Sequence, residues 1–378
     1  MKFREFGKTG EKLSALGMGC MRLPVIDGDM SKIDETAAIK LIRQAIDGGV
    51  NYVDTAWGYH GENSEPVLAK ALEDGYREKV QLATKFPCWL VNEPADLDKY
   101  LNAQLEKLQT DHIDFYLMHA FNRKTWKAMK DNGMFDFIPK IKADGRVRHV
   151  GFSFHDSYDV FEDIITAYDW DFCQIQYNIL DEDYQAGAKG LKLAASKGMG
   201  IVIMEPLRGG GLTNNIPDNI QNMWDNIKPK RTPADWALSW LWDQKEVGII
   251  LSGMTEPWHV TENIEIASRS GIGMLNDDQK DQLMKIRDMY HERTIVDCTQ
   301  CAYCMPCPHG VNIPSCFQFL NHGSMMNDLD EGKRLYNILV KEEQRASKCI
   351  ACGECLEKCP QQIPIPQTME MVVEKFGS

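Results

Sequence analysis

Short apolar segments alternate with longer amphipathic stretches through residues 15–270. Eight of the apolar segments have the length and the β-branched and aromatic content of buried strands. They lie at 15–20, 52–56, 80–86, 113–120, 147–154, 172–178, 200–206 and 247–254. A helical pattern such as AAIKLIRQAIDGG follows each of them, and glycine or proline often stands at its end. The pattern therefore predicts eight consecutive strand–helix units.

Strands that alternate with helices form parallel sheets whose two faces are covered. Eight such units favour an α/β fold of the TIM-barrel type, a (β/α)8 barrel, which we assign to residues 1–290. The alternative is a doubly wound sheet, which would carry a G-x-G-x-x-G turn after its first strand. The turn found there, GMGC, is too short, and the glycines at 209–211 lie far downstream. We therefore expect the barrel.

Eight of the twelve cysteines form two tight runs near the C-terminus. They are Cys298, Cys301, Cys304 and Cys307 in the first run, and Cys349, Cys352, Cys355 and Cys359 in the second. The second run matches C-x2-C-x2-C-x3-C-P, in which three thiolates hold one [4Fe–4S] cluster and the fourth reaches another. The first run has two residues, not three, before Cys307. We predict two [4Fe–4S] clusters, with Cys359 completing the first set of ligands and Cys307 the second.

Two other interpretations of these cysteines stay open. Structural zinc also binds thiolates, although its sites usually have two C-x-x-C pairs separated by a longer loop. If the short spacing keeps Cys307 from its cluster, Cys316 is the substitute ligand. The simpler interpretation of Cys316 is a buried packing residue. The segment between the runs has helical spacing. Residues 291–378 are therefore predicted to form a small helix-rich domain similar to dicluster ferredoxin modules. The isolated cysteines are interpreted as buried residues: Cys20, Cys88 and Cys173.

Composition argues against several classes of partner. The formal net charge is −13, whereas non-specific binding to nucleic acids or anionic membranes needs a surplus of Lys and Arg. Residues 1–10 are charged and lack the apolar core of a signal peptide, and no apolar stretch has the length of a membrane span. We therefore expect a cytoplasmic protein, in which reduced cysteines favour metal binding over disulfides.

Polar side chains stand at the ends of several predicted strands, where the chemistry of (β/α)8 barrels takes place. They are Asp54, Lys85, His119, Ser153, Gln176, Asn178 and Glu205, and Tyr59 lies in the loop after the second strand. Each has an ordinary structural explanation, such as a helix cap, a surface charge, a core histidine or a packed ring. Titratable groups gathered on three consecutive strand ends favour a catalytic site instead.

Four of these groups form a chemically consistent set. A free tyrosine has a pKa of about 10, and the ammonium of Lys85 would lower the pKa of Tyr59. Asp54 would hold that ammonium in place, and His119 would orient a carbonyl group beside the phenol. The set is suited to protonating a carbonyl oxygen while a hydride reaches the carbon.

Several motifs, in this order along the chain, resemble the aldo-keto reductase family. The N-terminal segment is FREFGKTGEKLSALGMGCMRLP, and it is followed by VDTAWGYHGENSE, ATKF and LMHA. Further motifs are GFSFHD, QIQYNIL, MEPLRGGGL and LSGMTEPWHVTEN. The resemblance covers residues 1–270 and implies an oxidoreductase that acts on a small carbonyl or alcohol substrate with NADP or NAD. It makes Tyr59 the general acid, with Lys85 and Asp54 tuning it and His119 positioning the substrate.

The same resemblance implies a set of cofactor-binding residues. They are Gly19, Ser153, Gln176, Tyr177, Pro206, Leu207, Arg208, Gly209, Ser252, Gly253, His259, Glu262 and Asn263. Tyr177 would stack on the nicotinamide, residues 206–209 would lie along the pyrophosphate, and the Glu-Asn pair would reach the adenine. Family members that bind a 2′-phosphate usually have a Lys or Arg before that pair. Here the segment SGMTEPWHVT offers only His259, which keeps both NADP and NAD open.

The sequence leaves the role of the clusters open. The clusters act either as an electron relay, for which a redox partner protein is an option, or as a structural unit. No flavin motif, which would couple hydride transfer to single-electron transfer, is visible in the sequence. The alternative function is an electron-transfer or interaction protein whose barrel binds a nicotinamide or substrate without turnover. A cluster-dependent radical or dehydratase enzyme fits less well, because eight cysteines can fill both clusters. An aromatic substrate rim is suggested by Trp57, Trp89, Phe121 and residues 122–137.

Overall fold

An antiparallel hairpin opens the fold. The structure, a computed structural model of the chain, describes residues 1–298, 300 and 303–377. The hairpin consists of β1 (Phe3–Glu5) and β2 (Lys12–Ser14), with Phe3 opposite Ser14. Between the two strands, the buried ring of Phe6 packs edge-on against Phe115, with ring centroids 5.5 Å apart. The hairpin thereby covers apolar side chains at the end where the following strands begin.

Eight parallel strands form a closed barrel. They are β3 (Leu16–Gly19), β4 (Tyr52–Asp54), β5 (Gln81–Phe86), β6 (Ile113–Phe121), β7 (Val147–Phe154), β8 (Phe172–Gln176), β9 (Gly200–Met204) and β10 (Ile249–Ser252). Their order around the barrel follows the chain, and β10 closes it against β3. Every strand overlaps one of the eight predicted segments. The predicted (β/α)8 barrel is confirmed, and the doubly wound alternative is excluded because the sheet closes on itself.

Helices follow the strands along the chain. The first ten are α1 (Glu35–Asp47), α2 (Ser64–Ala71), α3 (Ala95–Leu108), α4 (Arg123–Asp131), α5 (Met134–Ala143), α6 (Tyr158–Ala167), α7 (Gly187–Ser196), α8 (Asp218–Asn226), α9 (Pro233–Trp242) and α10 (Pro257–Ser268). Helix α1 shows why they form. Its N-cap, Asp34, accepts a hydrogen bond from the backbone N–H of Ala37 over 3.0 Å, and Leu41 and Ile42 are buried on one face.

The C-terminal part is rich in helices, as predicted. It contains α11 (Asp277–His291), α12 (Ile313–Met325), α13 (Leu329–Leu339) and α14 (Ile365–Phe376). Short 3-10 turns at 342–344 and 346–348 lead from α13 to the second cysteine run. An apolar core lies beneath both runs and includes Phe317, Leu320, Tyr336, Val372 and Phe376.

The chain divides into two compact units. The first contains Met1–Gly209 and Ala234–Asn276, and the second contains Gly210–Pro233 and the chain from Asp277 onward. Helices α8 and α11 thus belong to the second unit, whereas the sequence-based boundary between residues 290 and 291 stays a prediction. In the described part of the chain, no helix combines the length and the apolar character needed to cross a bilayer.

Candidate active site

The four titratable residues predicted at the strand ends lie close together. Asp54 ends β4, Lys85 is the penultimate residue of β5, and His119 lies near the end of β6. Tyr59 lies in the loop between β4 and α2. Because β4, β5 and β6 are neighbours and parallel, their carboxyl ends bring these side chains to one region of the barrel mouth.

Lys85 is the centre of this group, and its side chain is 1% exposed. Its Nζ forms an ion pair with Asp54 and donates hydrogen bonds to the carbonyl oxygen of Thr55 over 2.8 Å and to the phenolic oxygen of Tyr59 over 3.1 Å. An ammonium group has three N–H donors. All three have partners, so the charge is fixed beside the phenol.

Burial and ion pairing set the protonation states of these groups. Burial raises the pKa of Tyr59, and the opposing effect of Lys85 does not reverse that direction. Burial would lower the pKa of Lys85, but Asp54 and Tyr59 outweigh burial and raise it. Burial likewise raises the pKa of Asp54, against the effect of Lys85. The sequence argument expected a net lowering for Tyr59. The structure instead holds Tyr59 as a neutral phenol beside a lysine ammonium.

His119 adds a neutral imidazole to the site. Its ring lies 5.8 Å from the ring of Tyr59 and 5.2 Å from that of Trp89, between centroids. Burial, with a smaller contribution from Lys85, lowers the pKa of His119 well below its usual range. Its Nδ1 is buried and has no hydrogen-bond partner among the described residues. An uncharged ring of this kind can orient a carbonyl group without competing for the proton of Tyr59.

A buried hydrogen-bond network lies behind Lys85 and was not predicted. Oε1 of Glu65 accepts hydrogen bonds from Oγ1 of Thr84 over 2.7 Å and from Nε2 of Gln104 over 2.6 Å. The same amide nitrogen donates to the carbonyl oxygen of Lys85 over 3.1 Å, and Tyr116 donates to the amide oxygen over 2.7 Å. The network fixes the strand end that carries Lys85. The signal available in the sequence was the presence of two polar residues, Glu65 and Gln104, on buried helix faces.

The next strand ends carry three further predicted residues. Ser153, on β7, accepts a hydrogen bond from the backbone N–H of Ala120 over 2.8 Å. The side-chain amides of Gln176 and Asn178 both donate to Oδ2 of Asp181, over 2.9 Å and 2.7 Å. Asp181 was not predicted, because only the folded loop after β8 brings it to these amides.

Tyr177 lies apart from this group. Its side chain is buried, its hydroxyl donates to Oε1 of Gln244 over 3.1 Å, and its ring centroid is 5.3 Å from that of Trp240. The ring has no exposed face, so the predicted stacking on a nicotinamide does not fit this position. Met204, which ends β9 and pairs with Gln176, is partly exposed and was not predicted.

The segment after β9 contains the predicted pyrophosphate-binding residues 206–209. Pro206 is buried, and Leu207, Arg208 and Gly209 are partly or fully exposed. Nε of Arg208 lies 3.3 Å from Oδ2 of Asp181, which ties this segment to the loop after β8. Gly209 has a φ of +67°, a left-handed conformation that favours glycine.

The predicted residues of β10 and α10 also lie together. Nδ2 of Asn263 donates to Oγ of Ser252 over 2.9 Å, and Glu262 is partly exposed on the same helix. Gly19 lies beside this strand, where a Cβ on it would be in ordinary contact with the carbonyl oxygen of Ser252, 3.5 Å away. Gly253 follows Ser252 and is exposed.

His259 is engaged within its own helix start. Its Nδ1 accepts hydrogen bonds from the backbone N–H groups of Thr255 and Glu256, over 3.3 Å and 3.2 Å. The exposed ring of Trp258 lies 4.0 Å from it, between centroids. Burial lowers the pKa of His259, against the effect of Glu256. His259 is therefore a neutral acceptor and not the cation that the sequence allowed.

The cysteines form a second site in the C-terminal part. Cys304 and Cys307 from the first run and Cys349, Cys352 and Cys355 from the second line one pocket. Burial raises the pKa of the Cys355 thiol, and the thiols of Cys349, Cys352 and Cys307 raise it further. Four of these five cysteines are the predicted ligands of the second cluster, with Cys307 crossing over, whereas Cys304 was predicted for the first cluster.

The remaining cysteines complete this picture. Cys298 and Cys359 border the same apolar core as the second run, and Cys301 lies outside the described residues. Cys316 is fully buried in α12, and its Sγ lies 3.9 Å from the carbonyl oxygen of Gln344. It does not line the cavity of the cluster cysteines.

Comparisons with known proteins agree with both parts of this architecture. Residues 15–287 match the model of the aldo/keto reductase family, and residues 297–363 match that of the 4Fe-4S dicluster domain. The second match confirms the two-cluster prediction at the level of the domain. A probable aldo-keto reductase 1 from Glycine max is 26% identical over 69% of this chain and 82% of its own length.

Other relatives match a similar share of the chain. An NADH-specific methylglyoxal reductase from Escherichia coli is 27% identical over 70% of this chain and 93% of its own length. The solved structure of aldo-keto reductase AKR11C1 from Bacillus halodurans, in its holo form, superposes with a TM-score of 0.63 at 24% identity, covering 76% of this chain and 96% of its own. An aldo-keto reductase from Klebsiella pneumoniae in complex with NADPH gives a TM-score of 0.59 at 22% identity, with 76% and 95% covered. The chain therefore belongs to the aldo/keto reductase family, as an oxidoreductase whose barrel is followed by a 4Fe-4S dicluster domain.

Proposed function

We propose that the barrel reduces an aldehyde or ketone with a nicotinamide cofactor, and that Tyr59 supplies the proton. The observation that carries this proposal is the hydrogen bond from Nζ of Lys85 to the phenolic oxygen of Tyr59, with Asp54 as the counter-ion of Lys85. An ion pair buried only for stability would not need to hold a phenol at the mouth of a barrel. The intact group favours turnover over the alternative of a barrel that only binds its ligands.

The residues have separate tasks in this reaction. The bound nicotinamide supplies a hydride to the carbonyl carbon. Tyr59 donates its proton to the carbonyl oxygen, and Lys85 stabilises the negative charge that remains on the phenol oxygen. Asp54 keeps Lys85 charged and in position. Neutral His119 orients the carbonyl oxygen toward Tyr59.

Several residues at the barrel mouth fit a nicotinamide cofactor. Ser153 and Gln176 present side chains for its carboxamide, at the ends of the neighbouring strands β7 and β8. Met204 replaces Tyr177 in this proposal as the side chain beside the ring, because it is partly exposed at the end of β9 and a thioether packs well on an aromatic ring. Residues 206–209 lie along the pyrophosphate, and Ser252 with Asn263 form the adenine end.

NADH is the proposed form of this cofactor. A 2′-phosphate needs a cation, and His259 is a neutral acceptor whose Nδ1 is already engaged by the backbone. Glu256 adds a carboxylate to the same helix start. The name of the Escherichia coli relative, an NADH-specific reductase, agrees with this choice.

Two tryptophans form the proposed substrate rim. Trp89 is 48% exposed and lies beside His119, and Trp57 is partly exposed in the loop that carries Tyr59. Phe121, which the sequence also suggested, is fully buried against Trp126 and does not form part of a rim. The rim suits a substrate with an apolar or aromatic portion beside its carbonyl group.

The C-terminal domain is proposed to hold two clusters with separate cysteine sets. The first set is Cys298, Cys301, Cys304 and Cys359, and the second is Cys307, Cys349, Cys352 and Cys355. We propose that the clusters carry single electrons to or from a redox partner protein. The exposure of Cys352 supports this role, because a cluster ligand at the surface allows a partner to approach.

A Tyr59→Phe variant tests the proposed reaction. The anaerobically purified holoprotein would be mixed with NADH and methylglyoxal as a probe aldehyde, and nicotinamide oxidation followed by absorbance. The variant is expected to lose on the order of 10²–10⁴-fold in rate, since proton donation contributes about that much. Tyr76→Phe is the matched control, because the hydroxyl of Tyr76 donates to Asp47 at the surface. Full activity of Tyr59→Phe would refute the assignment.

A further inference from the structure

An arginine side chain runs along the barrel mouth in a path left open by two glycines. Arg22 follows β3, and a Cβ on Gly253 would lie 3.3 Å from the Cβ of Arg22. A Cβ on Gly209 would lie 3.0 Å from Nη2 of the same arginine. Both contacts are tighter than ordinary packing, so the two glycines leave room for the side chain of Arg22 from its base to its guanidinium.

Glu205 is the present partner of this guanidinium. Nη1 of Arg22 donates to Oε1 of Glu205 over 3.1 Å, which is its one hydrogen bond within the described part of the chain. A guanidinium has five N–H donors in a planar fork. The remaining donors form no further hydrogen bond within the described residues. The arginine side chain is 38% exposed and that of Glu205 is 27% exposed, so a ligand can reach the pair.

The backbone that carries Arg22 is anchored. The N–H of Leu23 donates to Nε2 of His60 over 3.2 Å, and Nδ1 of the same ring lies 2.7 Å from the carbonyl oxygen of Met30. The base of the side chain is thus fixed, while its charged end is held by a single partly exposed ion pair. An ion pair of this kind exchanges its partner at little cost in free energy.

We propose that Arg22 binds the diphosphate of the dinucleotide, and that Glu205 holds the arginine until the dinucleotide arrives. The inference rests on the proposed function, since it takes residues 206–209 to lie along the pyrophosphate. Gly209 belongs to that segment and lies directly beside the guanidinium. Arginine binds phosphate oxygens through two parallel charge-assisted hydrogen bonds, which one monodentate carboxylate does not match. Glu205 also repels a bound diphosphate, so its carboxylate is expected to move away from Arg22 when the dinucleotide binds.

Dissociation constants of NADH and ADP-ribose test this exchange on the full-length holoprotein. Arg22→Gln is expected to weaken the binding of both ligands by about ten- to a hundredfold, because a charge-assisted hydrogen-bonded contact is lost. Glu205→Gln is expected to tighten the binding of both ligands, because it removes a carboxylate that competes for Arg22 and repels the diphosphate. Binding is measured and not turnover, since Glu205 also interacts electrostatically with Tyr59.

Arg146→Gln is the matched control. Arg146 precedes β7, at the opposite end of the barrel strands, where it pairs with Asp98 and Asp144. Its replacement is expected to leave both dissociation constants unchanged. Arg22→Lys keeps the charge without the fork and is expected to recover part of the affinity.

The outcomes separate this inference from the function on which it rests. If the wild-type protein binds both ligands and Arg22→Gln binds them equally well, the inference is overturned and the proposed function stands. If Arg22→Gln and Glu205→Gln weaken binding alike, the pair is only structural, and the inference is again overturned. If the wild-type protein binds neither ligand, the proposed function fails and the inference fails with it.

Discussion

Nζ of Lys85 donates a hydrogen bond to the phenolic oxygen of Tyr59 over 3.1 Å, beneath the mouth of the barrel. The two residues lie 26 positions apart in the chain and meet because β4 and β5 are adjacent. The contact places a permanent positive charge beside the group that would give up a proton. Burial keeps that proton in place until a carbonyl oxygen accepts it.

Removal of the Lys85 charge is expected to abolish most of the chemical step. Lys85→Met takes away the stabilisation of the phenol oxygen, and we expect hydride transfer to slow on the order of 10²–10³-fold. Stopped-flow absorbance of NADH with a saturating aldehyde measures that step. Lys99→Met, at an exposed lysine of α3, is the control.

A lone Lys85→Met change leaves Asp54 as an unpaired buried carboxylate, which costs about 3–5 kcal/mol of stability. The double variant Asp54→Asn, Lys85→Met removes both charges and is expected to recover most of that stability while hydride transfer stays slow. A double variant with wild-type hydride transfer would show that the ion pair serves the fold alone.

The rate of carbonyl reduction is expected to be independent of pH between about 6.5 and 9. Tyr59 acts in its protonated form, and its raised pKa means that this form persists until the pH exceeds about 10, the value of a free tyrosine. His119 has a lowered pKa and is neutral throughout the same window. Single-turnover rates across this range check the expectation. A sigmoidal loss of rate centred between pH 7 and 8 would contradict the assigned protonation states.

Glu65→Gln is expected to stabilise the protein relative to wild type, and to do so more at pH 8 than at pH 5. Burial raises the pKa of Glu65, so the wild-type carboxyl group contributes most stability below its unfolded pKa of about 4.3, and that contribution is lost as the pH rises through the folded pKa. Gln keeps an acceptor for Thr84 and Gln104 and carries no charge at any pH. The difference in thermal midpoint between variant and wild type is therefore expected to grow from pH 5 to pH 8.

The reverse trend, or a variant destabilised equally at both pH values, would show that Glu65 is ionised and satisfied in the folded state. Glu62→Gln, at an exposed carboxylate paired with Lys107, is the matched control and is expected to show a smaller change with pH.

Cys307→Ser and Cys316→Ser are expected to differ in iron content. Cys307 faces the second cysteine run, and its loss removes one of four ligands from one of two clusters, so iron per chain is expected to fall by up to about half. Cys316 is buried beside Gln344, and its replacement is expected to leave the iron content unchanged. Iron analysis and electron paramagnetic resonance of the reduced, anaerobically prepared proteins measure the difference. The opposite pattern would make Cys316 the ligand.

His259→Arg is expected to improve the binding of NADPH by about tenfold and to leave NADH little changed. An arginine at the start of α10 would supply the permanent cation that neutral His259 lacks. Fluorescence titration with both nucleotides measures the ratio, and NADH serves as the internal control. A wild-type protein that binds NADPH more tightly than NADH would contradict the proposed cofactor.

The local sequence pattern was sufficient to predict the barrel strands, the cluster cysteines and the polar residues at the strand ends. The eight apolar segments predicted β3 to β10, because buried strands of a parallel barrel are short and continuously apolar. The spacing of the two cysteine runs predicted the dicluster domain, because ligands that wrap one cluster must be close in sequence. Polar residues at strand ends predicted Tyr59, Lys85, Asp54 and His119 as a group.

Tertiary structure alone decided the direction of side chains and the partners of buried charges. The position of Tyr177 suggested a ring at the barrel mouth, but packing on Trp240 buries that ring. The pKa of Tyr59 rises and does not fall, because desolvation depends on all the atoms around the phenol and not on one lysine. The pairing of Arg22 with Glu205 joins residues 183 positions apart. A sequence pattern records what each segment can form, whereas contacts between distant segments exist only after the barrel has closed.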